Sequence, residues 1–307
     1  MNVFSILMAM HGAVAQGILW GIMTLGVYLT FRILNIADMT CDGTFALGGS
    51  ICALMVVKHC NPYLALLCAF ALGLIAGGVT GFLHTKLKIQ ELLAGILSMT
   101  ALYSINIRIM GKPNTPMNGE KTAITQIQSL FEGMSPNMAS MITGIVFCVV
   151  LIVLLYWFCG TEIGSSLRAT GNNANMVRAM GVDTDKMKIL GLMLSNGLIA
   201  LSGGLVAQSQ KFGDVGMGTG TLVIGLASII LGESLFGWFA KKMPFWFTLI
   251  SVVLGSIVYR IVIAVVLQLG LKSSDLKLLT SVIITIALAI PIIKQQSAKF
   301  IDKKQSN

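Results

Sequence analysis

The sequence predicts an all-α, polytopic membrane protein with about nine transmembrane segments. Of its 307 residues, 55% are hydrophobic and only 11% are charged, whereas a soluble domain carries about a quarter of charged residues. Many stretches of roughly 20 residues are almost free of charge, which is the length that a helix needs to cross about 30 Å of hydrocarbon. These stretches are too long for barrel strands and lack strict alternation, so helices are expected.

The predicted spans lie near residues 13–31, 43–57, 62–83, 89–107, 138–159, 189–207, 216–234, 245–267 and 277–293. Five of the six prolines fall at or between segment ends, where a missing amide proton costs little, and the sixth is Pro291. We therefore expect one transmembrane domain over residues 1–293, followed by a basic tail over residues 294–307.

The cations favour one orientation. If the polar segment 160–188 faces the cytoplasm, alternating the spans outward from it leaves clearly more lysines and arginines inside than outside. The amino terminus is then outside and the carboxyl terminus is cytoplasmic. The first span has no preceding basic region or cleavage site of small residues, so we expect it to be retained.

Residue patterns typical of enzymes and metal sites are missing from the sequence. It contains no GxxxxGK[ST], HExxH or GxSxG motif, and its six cysteines show no CxxC or Cys/His spacing. We interpret the cysteines as small apolar residues and expect no metal, no catalytic residues and no cofactor bound by this chain. Because the GxxxxGK[ST] motif is missing, any ATP hydrolysis that this protein uses would have to come from another subunit.

A weak internal repeat relates residues 43–48 to residues 220–225, since both read Gly-Thr followed by hydrophobic residues and Gly. Each copy opens a short, glycine-broken span after a linker that carries an aspartate. Such helices at matching places in two halves indicate a translocation path, although two similar helix starts would explain the pattern equally well. The candidate path residues are Asp38, Thr40, Asp42, Thr44, Asp214, Thr219 and Thr221. Helix capping is the alternative role for these side chains.

Two further features concern helix packing. Gly73, Gly77 and Gly81 recur every four residues and predict a face on which another helix approaches closely. Arg260 lies well inside a hydrophobic run, where an arginine costs about 3 kcal/mol on insertion scales. It should therefore pair, line water or extend outward as an anchor.

The polar segment 160–188 predicts a short helix lying across the inner end of the bundle. Asn172 and Asn173 are suited to cap a helix over residues 174–180, and Gly181 is suited to end it. Asp183 or Thr184 can then cap the next span. The apolar residues of this segment are Met176, Val177 and Met180, and its cations include Arg168 and Arg178. This combination favours docking of a soluble partner over an ordinary solvated connector.

Residues 167–173, 178–183 and 186–188 resemble the coupling loop of ATP-binding-cassette (ABC) importer permeases of the branched-chain amino acid and ribose type. The resemblance extends to residues 35–43, 92–97, 213–218 and 224–228, and it covers most of the chain. The motifs Ala-Asp-x-Thr-x-Asp-Gly at residues 37–43 and Gly-Asp-Val-Gly-Met-Gly at residues 213–218 most resemble those of the subgroup labelled tryptophan/tyrosine permeases. Branched-chain permeases typically read Asn-x-Ala-His-Gly where this chain has residues 35–39, which argues against branched-chain solutes, and the subgroup resemblance favours aromatic ones.

The resemblance implies the partners and the docking residues. The coupling residues would be Gly164, Leu167, Arg168, Ala169, Gly171, Asn172, Asn173, Met176, Arg178 and Gly181. They would contact two ATPase subunits, which bind ATP and Mg. A second permease subunit, identical or homologous, would complete the path in the inner membrane of a prokaryote, and an extracytoplasmic binding protein would deliver the amino acid.

The alternative function is a stand-alone secondary transporter or channel for a small polar solute. The weak repeat and the broken spans motivate it. Ion-driven carriers generally keep acidic residues at mid-membrane depth, whereas Glu91, Glu162 and Glu233 map near the ends of the predicted spans and Asp38 and Asp42 border the second one. This distribution favours the ATP-driven importer.

Overall fold

The structure is a computed structural model that describes residues 3–130, 133–240 and 244–268, together with Leu278, Ser281, Val282 and Thr285. Within these residues the elements are α1 (Val3–Tyr28), continued by a π-helical turn (Leu29–Ile33), α2 (Thr40–Val57), α3 (Pro62–Thr85), α4 (Glu91–Met110), β1 (Asn114–Pro116), α5 (Ala123–Leu130), α6 (Pro136–Gly160), α7 (Glu162–Asn172), α8 (Ala174–Ala179), α9 (Thr184–Gln210), β2 (Phe212–Asp214), a 3-10 turn (Val215–Gly218), α10 (Thr221–Ala240) and α11 (Phe245–Gln268).

Eight helices in the described part of the chain are long and apolar enough to cross a membrane. They coincide with the first eight predicted spans, so the polytopic helical class is confirmed. The ninth predicted span, residues 277–293, and the basic tail, residues 294–307, fall outside the described residues apart from four single positions. The number nine therefore stays a prediction.

The helices α1, α2 and α9 form the interior of the bundle, and most of their side chains are buried. The outward faces of α3, α4, α6 and α11 carry many exposed large hydrophobic side chains, such as Leu67, Ile75 and Val153. A soluble protein would not leave so much apolar surface in water. Contact with lipid explains this surface.

The glycine row of α3 packs directly on α9, as the sequence predicts. A Cβ placed on Gly77 would lie 2.2 Å from the Leu192 carbonyl oxygen, and one on Gly73 would lie 2.5 Å from the carbonyl oxygen of Asn196. The third glycine, Gly81, packs on Ile189 in the same way. Small residues let the two backbones touch, which strengthens van der Waals contact where the hydrophobic effect gives no net drive.

The strands form one antiparallel pair in which Thr115 lies opposite Gly213. This pair joins the segment after α4 to the segment after α9. Beyond it, the chain turns back into the bundle before α10 begins, and this reversal positions the candidate site.

Candidate functional site

Both helices of the internal repeat begin inside the bundle. Thr40, the first residue of α2, is fully buried. From β2 the chain runs back along α2. Near the end of α2, a Cβ on Gly213 would lie 2.8 Å from the Ala53 Cβ, and near its start, a Cβ on Gly218 would lie 1.9 Å from the Asp42 carbonyl oxygen. The amino terminus of α10 is thereby brought to the level of the first turn of α2.

The Asp42 carboxylate caps α10 across this contact. Its Oδ1 accepts hydrogen bonds from the Thr221 hydroxyl at 2.7 Å and from the Leu222 amide at 3.1 Å, and its Oδ2 accepts one from the Gly220 amide at 2.8 Å. The free amides at a helix amino terminus carry a partial positive charge. An aspartate on one repeat helix therefore satisfies the first turn of the other.

Asp38 is the centre of a second, fully buried network. Its Oδ1 accepts a hydrogen bond from the Thr40 amide at 2.9 Å, and its Oδ2 accepts one from the Asn196 side chain at 2.6 Å. The Asn196 oxygen in turn accepts a hydrogen bond from the Thr44 hydroxyl at 2.7 Å. Burial raises the pKa of Asp38, while the hydrogen bonds from Thr40 and Asn196 act in the opposite direction.

Hydroxyl groups continue this network to α3 and α4. The Thr40 and Thr80 hydroxyls are 2.8 Å apart, and the Thr80 hydroxyl donates to Ser98 at 2.7 Å. The network thus connects α2, α3, α4 and α9. Of the candidate path residues, Asp38, Thr40 and Thr44 lie in this network and not in the wall of the cavity described next.

A cavity of about 340 Å³ opens beside Asp42, between α2, α4 and the 3-10 turn. Its wall consists of Asp42, Gly43, Ala46, Met99, Thr100, Tyr103, Asn106, Val215 and Thr219. This volume is at the lower end of the range for small-molecule pockets. Sequence reasoning identified Asp42 and Thr219 but missed the α4 residues. The available signal was the set of polar side chains at 100, 103 and 106 within an otherwise apolar run.

The remaining candidate path residues stabilise the start of α10. Asp214 Oδ1 accepts a hydrogen bond from the Gly216 amide at 2.6 Å, and the Thr219 hydroxyl donates to the Gly216 carbonyl at 2.8 Å. Thr221 is buried against Asp42. Capping and lining are therefore not exclusive alternatives here, because Thr219 caps a turn and also lines the cavity.

At the other end of the bundle, α7 lies against the end of α1. The Thr161 hydroxyl accepts a hydrogen bond from the Gly164 amide at 3.2 Å and begins the helix. Leu167 is fully buried. A Cβ on Gly171 would lie 1.8 Å from the Ile33 carbonyl oxygen, so the backbones of α7 and the π-helical turn are in direct contact. Gly164 and Ala169 also lie on buried or half-buried parts of α7.

The short helix α8 has the caps that the sequence predicts. Asn173 Oδ1 accepts a hydrogen bond from the Met176 amide at 3.1 Å, and Gly181 takes a left-handed φ of 87° just beyond the helix. Asp183 caps α9 by accepting hydrogen bonds from the amides of residues 185 and 186. These bonds, first of all the one from the Lys186 amide, lower the pKa of Asp183.

Two exposed methionines lie on α8 and directly after its end. Met176 is 50% exposed and Met180 is 73% exposed, whereas Val177 is buried and anchors the helix. Arg168 and Arg178 are both exposed and each also contacts a neighbouring side chain. The Arg168 guanidinium lies 4.7 Å from the centre of the Phe245 ring, and Arg178 donates to the Thr184 hydroxyl at 2.8 Å. Asn172 remains exposed at the junction of α7 and α8.

Arg260 has an aromatic neighbour inside the bundle. Its guanidinium lies 3.9 Å from the centre of the Trp20 ring, and Trp20 packs against Phe45 with ring centres 4.8 Å apart. A cation over an indole face is electrostatically favourable. Among the roles that the sequence left open, the structure places Arg260 in a stack that joins α11, α1 and α2.

Known proteins with similar sequences cover the same length of chain. The family described as branched-chain amino acid transport system, permease component, matches residues 9–289. A tyrosine transport system permease protein of Clostridioides difficile is 42% identical over 292 residues, 94% of both chains. Protein RP368 of Rickettsia prowazekii, described as uncharacterized, is 32% identical over 277 residues, 90% of this chain and 95% of that one. The ribose import permease protein RbsC of Escherichia coli is 25% identical over 235 residues, 75% of this chain and 68% of that one.

Proposed function

The chain belongs to the family of branched-chain amino acid transport system permease components, and on that premise we propose how it moves its solute. It is a multi-pass permease subunit of an ABC importer. Its solute is a small amino acid, and an aromatic one is favoured because the relative with 42% identity is described as a tyrosine transport system permease. An extracytoplasmic binding protein delivers the solute, and separate ATPase subunits that bind ATP and Mg drive its passage.

The observation that carries this proposal is the meeting of α2 and α10 at Asp42. Two continuous helices from corresponding places in the two halves, α2 and α10, begin side by side within the bundle, and a cavity opens beside their contact. This arrangement is typical of substrate paths in transporters built from repeats. Asp42 and Thr219 line the path, whereas Asp38, Thr40 and Thr44 hold the surrounding helices in register.

The helices α7 and α8 form the ATPase-coupling surface in this proposal. Met176 and Met180 provide the apolar contact, and Val177 fixes α8 to the bundle. Because Gly171 touches the Ile33 backbone, any displacement of α7 acts directly on the turn that precedes α2. Movement imposed by the ATPase subunits would therefore reach the helix that carries Asp42.

The proposed orientation follows from the coupling surface. The segment 160–188 faces the cytoplasm of a prokaryotic cell, the amino terminus lies outside, and the carboxyl terminus lies inside. A second permease subunit, identical or homologous, covers the exposed face of α4 and completes the path. The exposed polar residues Thr100, Tyr103 and Ser104 on that face support a role other than contact with lipid.

The test replaces the two exposed methionines with glutamate in one variant, Met176→Glu plus Met180→Glu. Two charges on an apolar contact should abolish co-purification of the ATPase subunits and uptake, while the permease itself remains folded. The matched control is Leu130→Glu, a 76% exposed leucine on α5 at the opposite end of α6, which should leave ATPase binding unchanged.

Retention of the ATPase subunits by the double variant would show that the coupling surface lies elsewhere. The driving force is tested separately in membrane vesicles. Uptake that persists without ATP and collapses with an ionophore would replace this proposal with an ion-driven transporter.

A further inference from the structure

The two threonine hydroxyl groups in the wall of the cavity have already used their protons. The Thr100 hydroxyl donates to the carbonyl oxygens of Ile96 at 3.1 Å and Leu97 at 2.9 Å, and the Thr219 hydroxyl donates to Gly216 at 2.8 Å. A hydroxyl has one proton and two acceptor lone pairs. Both side chains therefore have accepting capacity left and no proton to give.

Asn106 in the same wall has an unpaired acceptor. The side chain is completely buried, and its nitrogen donates to the Gly43 carbonyl at 3.1 Å. Its oxygen has no hydrogen-bond partner among the residues that the structure describes. A buried acceptor without a donor costs about 1–3 kcal/mol, so a donor that reaches this oxygen from the cavity would remove this cost.

Asp42 adds a carboxylate to the wall, and an ionised carboxylate can accept hydrogen bonds but cannot donate them. Three hydrogen bonds from the start of α10 leave part of its accepting capacity free, because a carboxylate has about four lone-pair sites. The same bonds occupy the helix amino terminus, the group that could otherwise attract a carboxylate from the solute. The cavity wall includes no lysine or arginine.

We propose that this cavity is a subsite for a hydrogen-bond donor of the solute, with the ammonium group of an amino acid as the fitting ligand. The Asn106 oxygen is the principal acceptor, and Asp42 supplies the complementary charge. Tyr103 offers an exposed ring face that suits a cation, and Met99 and Val215 provide apolar walls. The subsite rests on the proposed function, since it gives the permease its own contact with the solute within the path.

The test measures thiol labelling of the purified permease and needs neither uptake nor ATPase subunits. The background variant is Cys60→Ser, because Cys60 is the exposed cysteine among the described residues. Tyr103→Cys places a thiol in the cavity, and Thr219→Cys places one on the opposite wall. Labelling rates with 2-aminoethyl, 2-trimethylammonioethyl and 2-sulfonatoethyl methanethiosulfonate are measured by intact mass and divided by the rates for a small free thiol.

The subsite predicts a normalised rate for the aminoethyl reagent about tenfold or more above that for the sulfonatoethyl reagent, equivalent to about 1.4 kcal/mol. Adding Asn106→Leu should lower the aminoethyl rate toward the trimethylammonio rate, because only the ammonium group can donate to Asn106. Equal normalised rates for the three reagents at both positions would overturn the proposal. So would rates that Asn106→Leu leaves unchanged in a folded variant.

The two cysteine positions guard against loss of folding. If Tyr103→Cys lowers the unfolding temperature, Thr219→Cys gives the same comparison from the other wall. If Asn106→Leu does not fold, the rate ratios at the two cysteines alone decide the outcome. If the labelling rates contradict the subsite while ATPase binding and uptake are intact, the subsite is wrong and the proposed function stands. If the labelling rates agree with the subsite while ATPase binding fails, the subsite stands and the coupling proposal is wrong.

Discussion

Replacing Gly171 with alanine should separate α7 from the end of α1. A Cβ at this position would lie 1.8 Å from the Ile33 carbonyl oxygen and 2.8 Å from the Leu34 Cα. Both are backbone atoms, so no side-chain rotation relieves the clash. Because real Cβ contacts essentially never fall below 3.0 Å, α7 has to move away by at least about 1.2 Å.

The expected cost follows from two opposing effects. Overpacking of a well-packed contact typically costs about 1–3 kcal/mol. Alanine in place of glycine within a helix returns at most about 1 kcal/mol, so the net loss of stability for Gly171→Ala should be about 1–2 kcal/mol. The matched control is Gly160→Ala at the end of α6, where no atom lies within 4 Å of the added Cβ. The control should be neutral or slightly more stable.

The assay is thermal unfolding of the purified permease in detergent, with ATPase co-purification from the same preparations. Gly171→Ala should lower the unfolding midpoint and weaken ATPase retention, because α7 is tilted out of its contact. Gly160→Ala should change neither. Equal midpoints for the two variants would refute the direct backbone contact between α7 and the π-helical turn that follows α1. A lowered midpoint with full ATPase retention would refute the coupling role instead.

Three further predictions test other contacts. Burial raises the pKa of Asp38 above its value in the unfolded chain, so the stabilising contribution of its protonated form is complete below the unfolded pKa of about 3.9. This contribution is lost as the pH rises through the folded pKa, and the unfolding midpoint should fall over the same window. The variant Asp38→Asn should show a flatter dependence of the midpoint on pH. Arg32 and Glu233 form a bidentate ion pair with side chains 46% and 29% exposed. A double-mutant cycle with glutamine at both positions should give a coupling energy of about 0.5–1 kcal/mol in the same unfolding measurement. A coupling energy of zero would mean that the pair is not formed in solution. Leu167→Ala should lower the free energy of unfolding by about 2–5 kcal/mol because this side chain is fully buried. The control Ile163→Ala replaces a half-exposed side chain on the same helix and should change the free energy of unfolding by no more than about 0.5 kcal/mol.

The features that the sequence predicted correctly are those that local chemistry controls. Hydrophobic length alone placed eight spans, because a helix must satisfy its own backbone in lipid. The caps at Asn173, Gly181 and Asp183 were also predictable. A cap depends on the side chain or backbone freedom of one residue and on amides two or three positions away.

The arrangement of the candidate site could not be predicted in the same way. The contact of the Arg168 guanidinium with the Phe245 ring joins residues far apart in the chain, and the docking role of Arg168 stays a prediction. The side chains of α4 that line the cavity were missed, although Thr100 and Asn106 are visible as polar positions in an apolar run. Apolar residues occupy every side of these helices, so hydrophobic periodicity does not reveal which face turns inward.

By itself, then, the sequence determined the helical membrane class, the approximate positions of eight spans and the local caps. Only the tertiary structure decided that the Asp42 carboxylate reaches the start of α10. There it accepts a hydrogen bond from the amide of Gly220, which lies 178 positions further along the chain. The physical reason is that helices in lipid gain little from burying one apolar surface rather than another. Their mutual positions are set by close glycine contacts and by hydrogen bonds between distant side chains. The glycine spacing on α3 predicts a close approach, but no local pattern shows which helix approaches or which distant side chains pair.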